Sequence, residues 1–193
     1  MLRRDILRSG IAIACAATLS PLAAPAQAAK VLSEQPATTG AIKALRTALR
    51  AIGGDVCIDA AQRLGELPDG ATTFTLHLRQ AGLDGSDAGL LATALQSLGT
   101  KGGTSLDSFS LSYNSGIGDA GATSIAYSLP TTLPELGMVG CDLGDQAGEA
   151  LLHWARQTSN LHTMCIEQNR FSEGLKTRFN DLARQRSNFL MVV

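Results

Sequence analysis

Four stretches of the chain alternate apolar and polar residues over a few positions and then switch to a longer apolar spacing. One reads Leu106-x-x-Phe109-x-Leu111-x-x-Asn114, followed by Ile117-Gly118-Asp119-Ala120-Gly121, Ile125 and Leu129. Leu133-x-x-Leu136-x-Met138-x-x-Cys141 leads into Leu143-Gly144-Asp145, Gly148, Leu151 and Ala155. Leu161-x-x-Met164-x-Ile166-x-x-Asn169 leads into Phe171, Phe179 and Ala183, so the three starts lie 27 and 28 positions apart. An earlier copy fits Thr73-x-x-Leu76-x-Leu78-x-x-Ala81, then Leu83, Asp87-Ala88-Gly89, Leu91 and Leu95, with a longer exit through Gly99, Gly102 and Gly103.

A spacing of two puts the fourth and sixth residues of each copy on one face of a short strand, and the Asn or Cys at the ninth position turns the chain. The apolar residues after it recur at three, four or eight positions, the inward stripe of a helix. Asp119 and Asp145 stand where a carboxylate can cap the first free amides of such a helix. Neither element can bury its apolar face alone, whereas stacked copies can. The expected class is therefore α/β, with short parallel strands on a concave side and helices on the convex side.

This pattern, LxxLxLxxN/C followed by a Gly-Asp helix start, resembles the ribonuclease-inhibitor-like class of leucine-rich repeats over roughly residues 71–186. Thr73 replaces the first Leu, Met138 and Met164 replace others, Ala81 replaces Asn, and the last copy lacks the Gly-Asp pair. The resemblance implies a solenoid that binds other proteins through its concave face and loop edges.

The ends of the repeat region (71–193) read as caps. Thr39 can start a helix carrying Ile42, Leu45, Leu49 and Ile52, which Gly53-Gly54 can stop. A short apolar run, Val56, Cys57 and Ile58, precedes a second expected helix from Asp59 to Leu67, and Pro68-Asp69-Gly70 turns toward the first strand, so residues 39–70 form a helical cap. Phe189 falls 28 positions after Leu161, which predicts a fifth strand from Phe189 to Val193.

Residues 1–28 read as an export signal: Arg3, Arg4 and Arg8, an apolar stretch from Gly10 to Leu19, and a small-x-small site at Ala26-Gln27-Ala28. The apolar stretch is shorter than the roughly 20 residues of a membrane-spanning helix, so no stable span is expected. Arg3-Arg4-Asp5-Ile6-Leu7-Arg8 resembles a twin-arginine motif with Ile6 in place of Phe. Cys15 follows Ala12-Ile13-Ala14, a poor lipoprotein box, so lipid anchoring is a minority reading. Residues 29–38 carry few large apolar groups and read as a loose start to an exported protein, periplasmic or secreted.

Composition narrows the function. The chain of 193 residues has 16 Lys+Arg against 17 Asp+Glu, which gives no global pull toward nucleic acid. Removing residues 1–28 leaves 13 basic and 16 acidic residues and three cysteines, Cys57, Cys141 and Cys165. An odd count without CxxC or metal spacing argues against a disulfide scaffold. Aromatic residues, at 4%, are too few for a platform that stacks single-stranded bases.

Positions outside the inward set form columns across the expected open face. The third column is Thr75, Ser108, Glu135 and Thr163, and the fifth is His77, Ser110, Gly137 and Cys165. The seventh is Arg79, Ser112, Val139 and Glu167, and the eighth Gln80, Tyr113, Gly140 and Gln168. The candidate partner-binding residues are His77, Arg79, Gln80, Ser110, Ser112, Tyr113, Glu135, Cys165, Glu167 and Gln168, with Arg79 and Glu167 giving the ends opposite charge. Four or five strands about 4.8 Å apart and about six residues long project only some 400 Å². A stable interface uses about 800 Å² per partner, so loop edges, the cap or self-association must contribute.

No catalytic, cofactor or metal site is expected. Cys165 and His77 share a column but stand three strands apart, some 14 Å, too far for proton transfer. Cys141 should face inward and Cys165 outward, which disfavours a bridge. His153 and His162 lack a third ligand at metal spacing, and Trp154 adjoins the inward Leu151/Ala155 stripe, where helix packing accounts for it. Arg170, Lys176, Arg178, Arg184 and Arg186 make the last helix basic, diluted by Glu173 and Asp181 into a solvated face. Gly116, Gly118 and Gly144 serve chain reversal, since no Gly-Lys-Ser/Thr comes after them. The leading expectation is a non-catalytic binder of a protein or peptide. The alternatives are a thiol-dependent enzyme or redox sensor using Cys165, and a self-associating envelope component.

Overall fold

The computed structural model describes residues 37–99 and 104–193. The expected signal (1–28) and nearly all of the start (29–38) lie outside the described residues, as do Gly102 and Gly103.

Two helices open the described chain, α1 (Ala37–Ile52) and α2 (Asp55–Gly65). Helix α1 begins two residues before Thr39. Helix α2 takes in Val56, Cys57 and Ile58, which the sequence presents as a separate run. The reason is the spacing of the residues that α2 buries: Cys57, Ala60, Ala61 and Leu64 recur at helical intervals, and Asp55 at its first residue favours the amino end of the helix dipole.

Strands and helices then alternate: β1 (Thr73–His77), α3 (Gly85–Leu95) with a 3-10 turn (Gln96–Gly99), β2 (Ser105–Ser110), α4 (Gly118–Ser128), β3 (Glu135–Gly137), α5 (Asp145–Gln157), β4 (Thr163–Cys165), α6 (Glu173–Arg184) and β5 (Leu190–Val192). The five strands form one parallel sheet in the order β1-β2-β3-β4-β5. The architecture is mixed α/β, in which each strand returns to the sheet through a helix. Leu76, Phe109, Leu136 and Met164, the fourth residues of the four copies, lie side by side as strand partners and are all buried. They join Leu91, Ile125, Leu151 and Phe179 from the helices in one apolar cluster.

Two register details differ from the sequence reading. A bulge at Asp107 shifts the pairing so that Leu106 lies beside Phe74; Phe74, not Thr73, fills the first apolar slot of its copy, and Thr73 is exposed. At the far end Leu190 pairs with Thr163 and Met191 with Met164, so the last copy is offset by one residue. Met191 takes the inward place, while Phe189 lies partly buried with the Arg186 guanidinium over its ring.

The aspartates also behave differently. Asp119 and Asp145 do not cap their own helices, where the amino ends of α4 and α5 have no side-chain cap. They sit inside the first turn and reach sideways. Asp119 Oδ1 accepts the Gly144 N–H at 2.6 Å, and Asp145 Oδ1 accepts the Ser172 N–H at 2.7 Å. Helix α3 is capped by Asp84, which accepts from Ser86 and Asp87 N–H, while Asp87 accepts in return from the Asp84 N–H. Helix α6 is capped by Ser172.

The ninth residues form a ladder behind the strands. Asn114 Nδ2 donates to the Leu78 and Leu111 carbonyls at 2.8 and 2.7 Å, and its Oδ1 accepts the Leu83 N–H. Asn169 repeats this toward Met138 and Ile166, accepting from Cys141 and Leu143 N–H. Cys141 occupies the same slot with its thiol donating to the Leu111 carbonyl at 3.3 Å. Among the described residues, no helix is long and apolar enough to cross a membrane.

Candidate binding face

The sheet packs one face on the helices and leaves the other open. Backbone bonds continue past the strand ends: Gln80, Tyr113 and Gly140 N–H donate to the Ser112, Val139 and Glu167 carbonyls at 3.0, 2.7 and 3.0 Å. At this eighth position the chain turns through left-handed backbone in every copy, with φ of 53° at Gln80, 63° at Tyr113, 59° at Gly140 and 61° at Gln168. Only one of the four is glycine, the residue for which that conformation carries no Cβ penalty.

Burial divides the positions of the seventh and eighth columns into two sets. Ser112, at 4% exposure, and Val139, at 7%, are buried, so the middle of the seventh column is closed. Ser112 Oγ accepts from the Val139 N–H and from Ser110 Oγ, both at 3.2 Å, which makes it an internal link instead of a contact for a partner. Alternation holds through the buried sixth residues; in the seventh column the two middle copies, each flanked by a copy on both sides, are the closed ones, whereas Arg79 of the first copy is exposed.

Arg79, Tyr113 and Gln168 come together in the second set. The Arg79 guanidinium lies 4.1 Å from the Tyr113 ring centroid, a cation–π contact. Gly140 borders the other strand side of that ring: a Cβ there would approach Tyr113 Cδ1 at 3.1 Å and Gln168 Oε1 at 3.6 Å. The result is a strip of cation, aromatic ring, bare backbone and amide along the turn edge, with exposed Gln80 beside it.

His77 Nε2 meets Ser108 Oγ at 3.0 Å on the neighbouring strand. Cys165 lies two further strands away on β4, so the imidazole and thiol are not brought together. Burial pushes the Cys165 thiol above its ordinary value of 9.0, with the nearby Glu167 and Glu135 carboxylates adding to the rise. An activated thiol needs the reverse shift. Glu135 is exposed, whereas Glu167 is half-buried with Oε2 enclosed and without a hydrogen-bond partner. Cys57, Cys141 and Cys165 are all free thiols, and burial raises the first two as well.

The C-terminal cations are engaged within the protein. Arg170 pairs with Asp142, Lys176 with Glu173, Arg178 with Glu149 and Arg184 with Asp181. Arg186 donates to the Ala155, Arg156 and Thr158 carbonyls at the end of α5. Trp154 is 3% exposed and packs in the core, with its Nε1 lacking a partner. His153 meets Gln157 Nε2 at 2.9 Å and stands beside the exposed Tyr127 ring. Among the described residues no group of three His, Cys, Asp or Glu is arranged to hold a metal ion.

A second recess escaped the sequence reading. Lys43, Arg46 and Arg50 on α1 line a cleft of about 690 Å³ against the end of α2 and the turn into β1. Their spacing of three and then four residues is the signal that places them on one side of a helix. A scan against protein-family models finds no matching family, and a search of curated proteins finds no match.

Proposed function

We propose that this chain is an exported leucine-rich-repeat protein of the ribonuclease-inhibitor-like class, a solenoid whose work is to bind another protein or a peptide, without chemistry of its own. The observation that carries the reading is the Arg79–Tyr113 pair, with the guanidinium 4.1 Å from the ring centroid at the edge of the open face. Arg and Tyr are the residue types that dominate binding energy in protein interfaces, because each offers large contact area and polar donors together. The strip Arg79, Tyr113, Gly140 and Gln168 gives a partner an ordered edge, and Glu135 gives it opposite charge elsewhere on the same face.

The test compares the protein with an Arg79→Glu, Tyr113→Ala, Glu167→Arg variant in capture from extracts of the source cell, with thermal unfolding measured in parallel. A partner lost while stability persists supports the reading. A partner that the variant retains moves recognition to the loops, cap or helices.

Self-association is a second reading, favoured by Leu190 at 59% exposure and Val192 at 37% on the same side of β5. Sedimentation of the protein and of a Leu190→Lys, Val192→Lys variant decides it: a dimer that the variant abolishes supports self-association, and a monomer at high concentration removes it.

A further inference from the structure

Several cations among the described residues are already engaged. Those around α6 are held by carboxylates or by helix-end carbonyls, as described above. Lys43, Arg46 and Arg50 are not: none of the three makes an ion pair with a described residue. They line the 690 Å³ cleft from the α1 side. The facing wall contributes the buried Leu64 and the half-buried Leu67, with Asp69 the one acid among the described lining residues.

Arg46 is fixed in place within this cleft. Its Nε donates to the Ala61 carbonyl at 3.2 Å, and its guanidinium covers Gly65, where a Cβ would lie 2.6 Å from Nη2. The side chain is half-buried beside apolar groups. Held by one carbonyl and in no ion pair with a described residue, this guanidinium has the planar fork that suits a bidentate anion.

The volume falls in the range of small-molecule sites, about 300–1,000 Å³, which combine apolar lining with a few placed polar groups. From Lys43 to Arg50 the helix advances about 10 Å. That limits an extended peptide to about three residues at about 3.3 Å each, whereas a flexible aliphatic chain can bend along the apolar side of the cleft. We propose that the cleft between α1 and the α2–β1 turn binds a small anionic amphiphile. Arg46, supported by Lys43 and Arg50, takes its carboxylate, and Ile42, Leu64 and Leu67 cover its aliphatic chain.

The experiment titrates the purified full chain calorimetrically with dodecanoate below micelle formation. Dodecanol, dodecyltrimethylammonium and acetate serve as comparators that remove the charge, reverse it or remove the tail. The expected result is one dodecanoate per chain, bound about tenfold or more tightly than either other dodecyl compound, with no measurable acetate binding. Arg46→Gln should weaken binding about tenfold; because Arg46 also holds the Ala61 carbonyl, a Lys43→Gln, Arg50→Gln variant of two exposed residues carries the same test on an intact fold, with a loss of about threefold or more. Equal affinity for all three dodecyl compounds overturns the proposal, as does acetate binding as tightly as dodecanoate, unchanged affinity in the Lys43/Arg50 variant, or no binding at millimolar dodecanoate. The Arg79, Tyr113, Glu167 variant should bind dodecanoate unchanged, so this cleft and the open face succeed or fail separately.

Discussion

Asp119 and Gly144, 25 residues apart on successive strand–helix units, share one bond and one space: the carboxylate accepts the Gly144 N–H at 2.6 Å, and a Cβ at residue 144 would lie 2.9 Å from Asp119 Oδ2. Gly144 has φ −95°, which any residue adopts, so the cost of a side chain at 144 comes from displacing the carboxylate and not from the backbone. Asp119→Ala should cost about 1–2 kcal/mol through the lost charged acceptor, and Gly144→Ala about 1–2 kcal/mol through crowding. The double variant should fall short of the sum by at least about 0.5 kcal/mol, since alanine at 144 no longer crowds a carboxylate. Urea unfolding of the four proteins measures this; additive losses would break the link.

The ladder predicts a ranking. Asn114 satisfies two carbonyls and one N–H in buried surroundings, while the Cys141 thiol makes weak bonds to the Leu111 and Val139 carbonyls. Asn114→Ala should therefore destabilise by about 3 kcal/mol, because it strands backbone groups that water cannot reach. Cys141→Ala should cost about 1 kcal/mol, mostly as lost packing. The midpoints of chemical unfolding give the comparison, and equal losses would contradict it.

Acid should loosen the same units. The Ser172 backbone N–H and then its side chain hold Asp145 below its ordinary 3.8, and the Asp87 and Ser86 groups do the same for Asp84. A carboxylate lowered on folding stabilises the protein fully above its unfolded value and loses that contribution as pH falls through the folded one. Asp145→Asn keeps an acceptor for the Ser172 N–H but cannot titrate. Its melting temperature should fall less steeply than that of the parent between about pH 4 and pH 2, the range below the ordinary carboxylate value in which a lowered Asp145 takes up its proton. Parallel slopes would show that the Asp145–Ser172 contact does not form in solution.

Cys165 should react slowly. Burial and the neighbouring Glu167 and Glu135 disfavour its thiolate, so alkylation by iodoacetamide at pH 8 should lag behind a small-molecule thiol of ordinary value 9.0 and accelerate as pH rises beyond it. Glu167→Gln and Glu135→Gln each remove a negative neighbour and should raise the rate about two- to fivefold at that pH. Rapid alkylation at pH 7, insensitive to both substitutions, would return Cys165 to consideration as a nucleophile.

The order of elements and the inward residues were legible because they arise from local periods. Leu76, Phe109, Leu136 and Met164 could be read off as core partners before any contact was known. The candidate face was legible only in part. Arg79, Tyr113 and Gln168 lie along the turn edge, whereas Ser112 and Val139, in the two middle copies of the seventh column, are buried. The cationic spacing of Lys43, Arg46 and Arg50 lay open in the sequence, but nothing local said that Leu64, Leu67 and the turn into β1 would face it.

What the sequence determined by itself was the alternation of strand and helix, the inward stripe of each, and the slot that Asn114, Cys141 and Asn169 share. Side-chain direction along a strand or helix is set within a few residues, so spacing is sufficient. Tertiary structure decided the bulge that replaces Thr73 by Phe74, the partners of Asp119 and Asp145, the stacking of Arg79 on Tyr113, and the cleft beside Arg46. Each depends on how closely chain segments some 15 to 34 residues apart approach one another, and that distance is a property of the packed core, which no local period encodes.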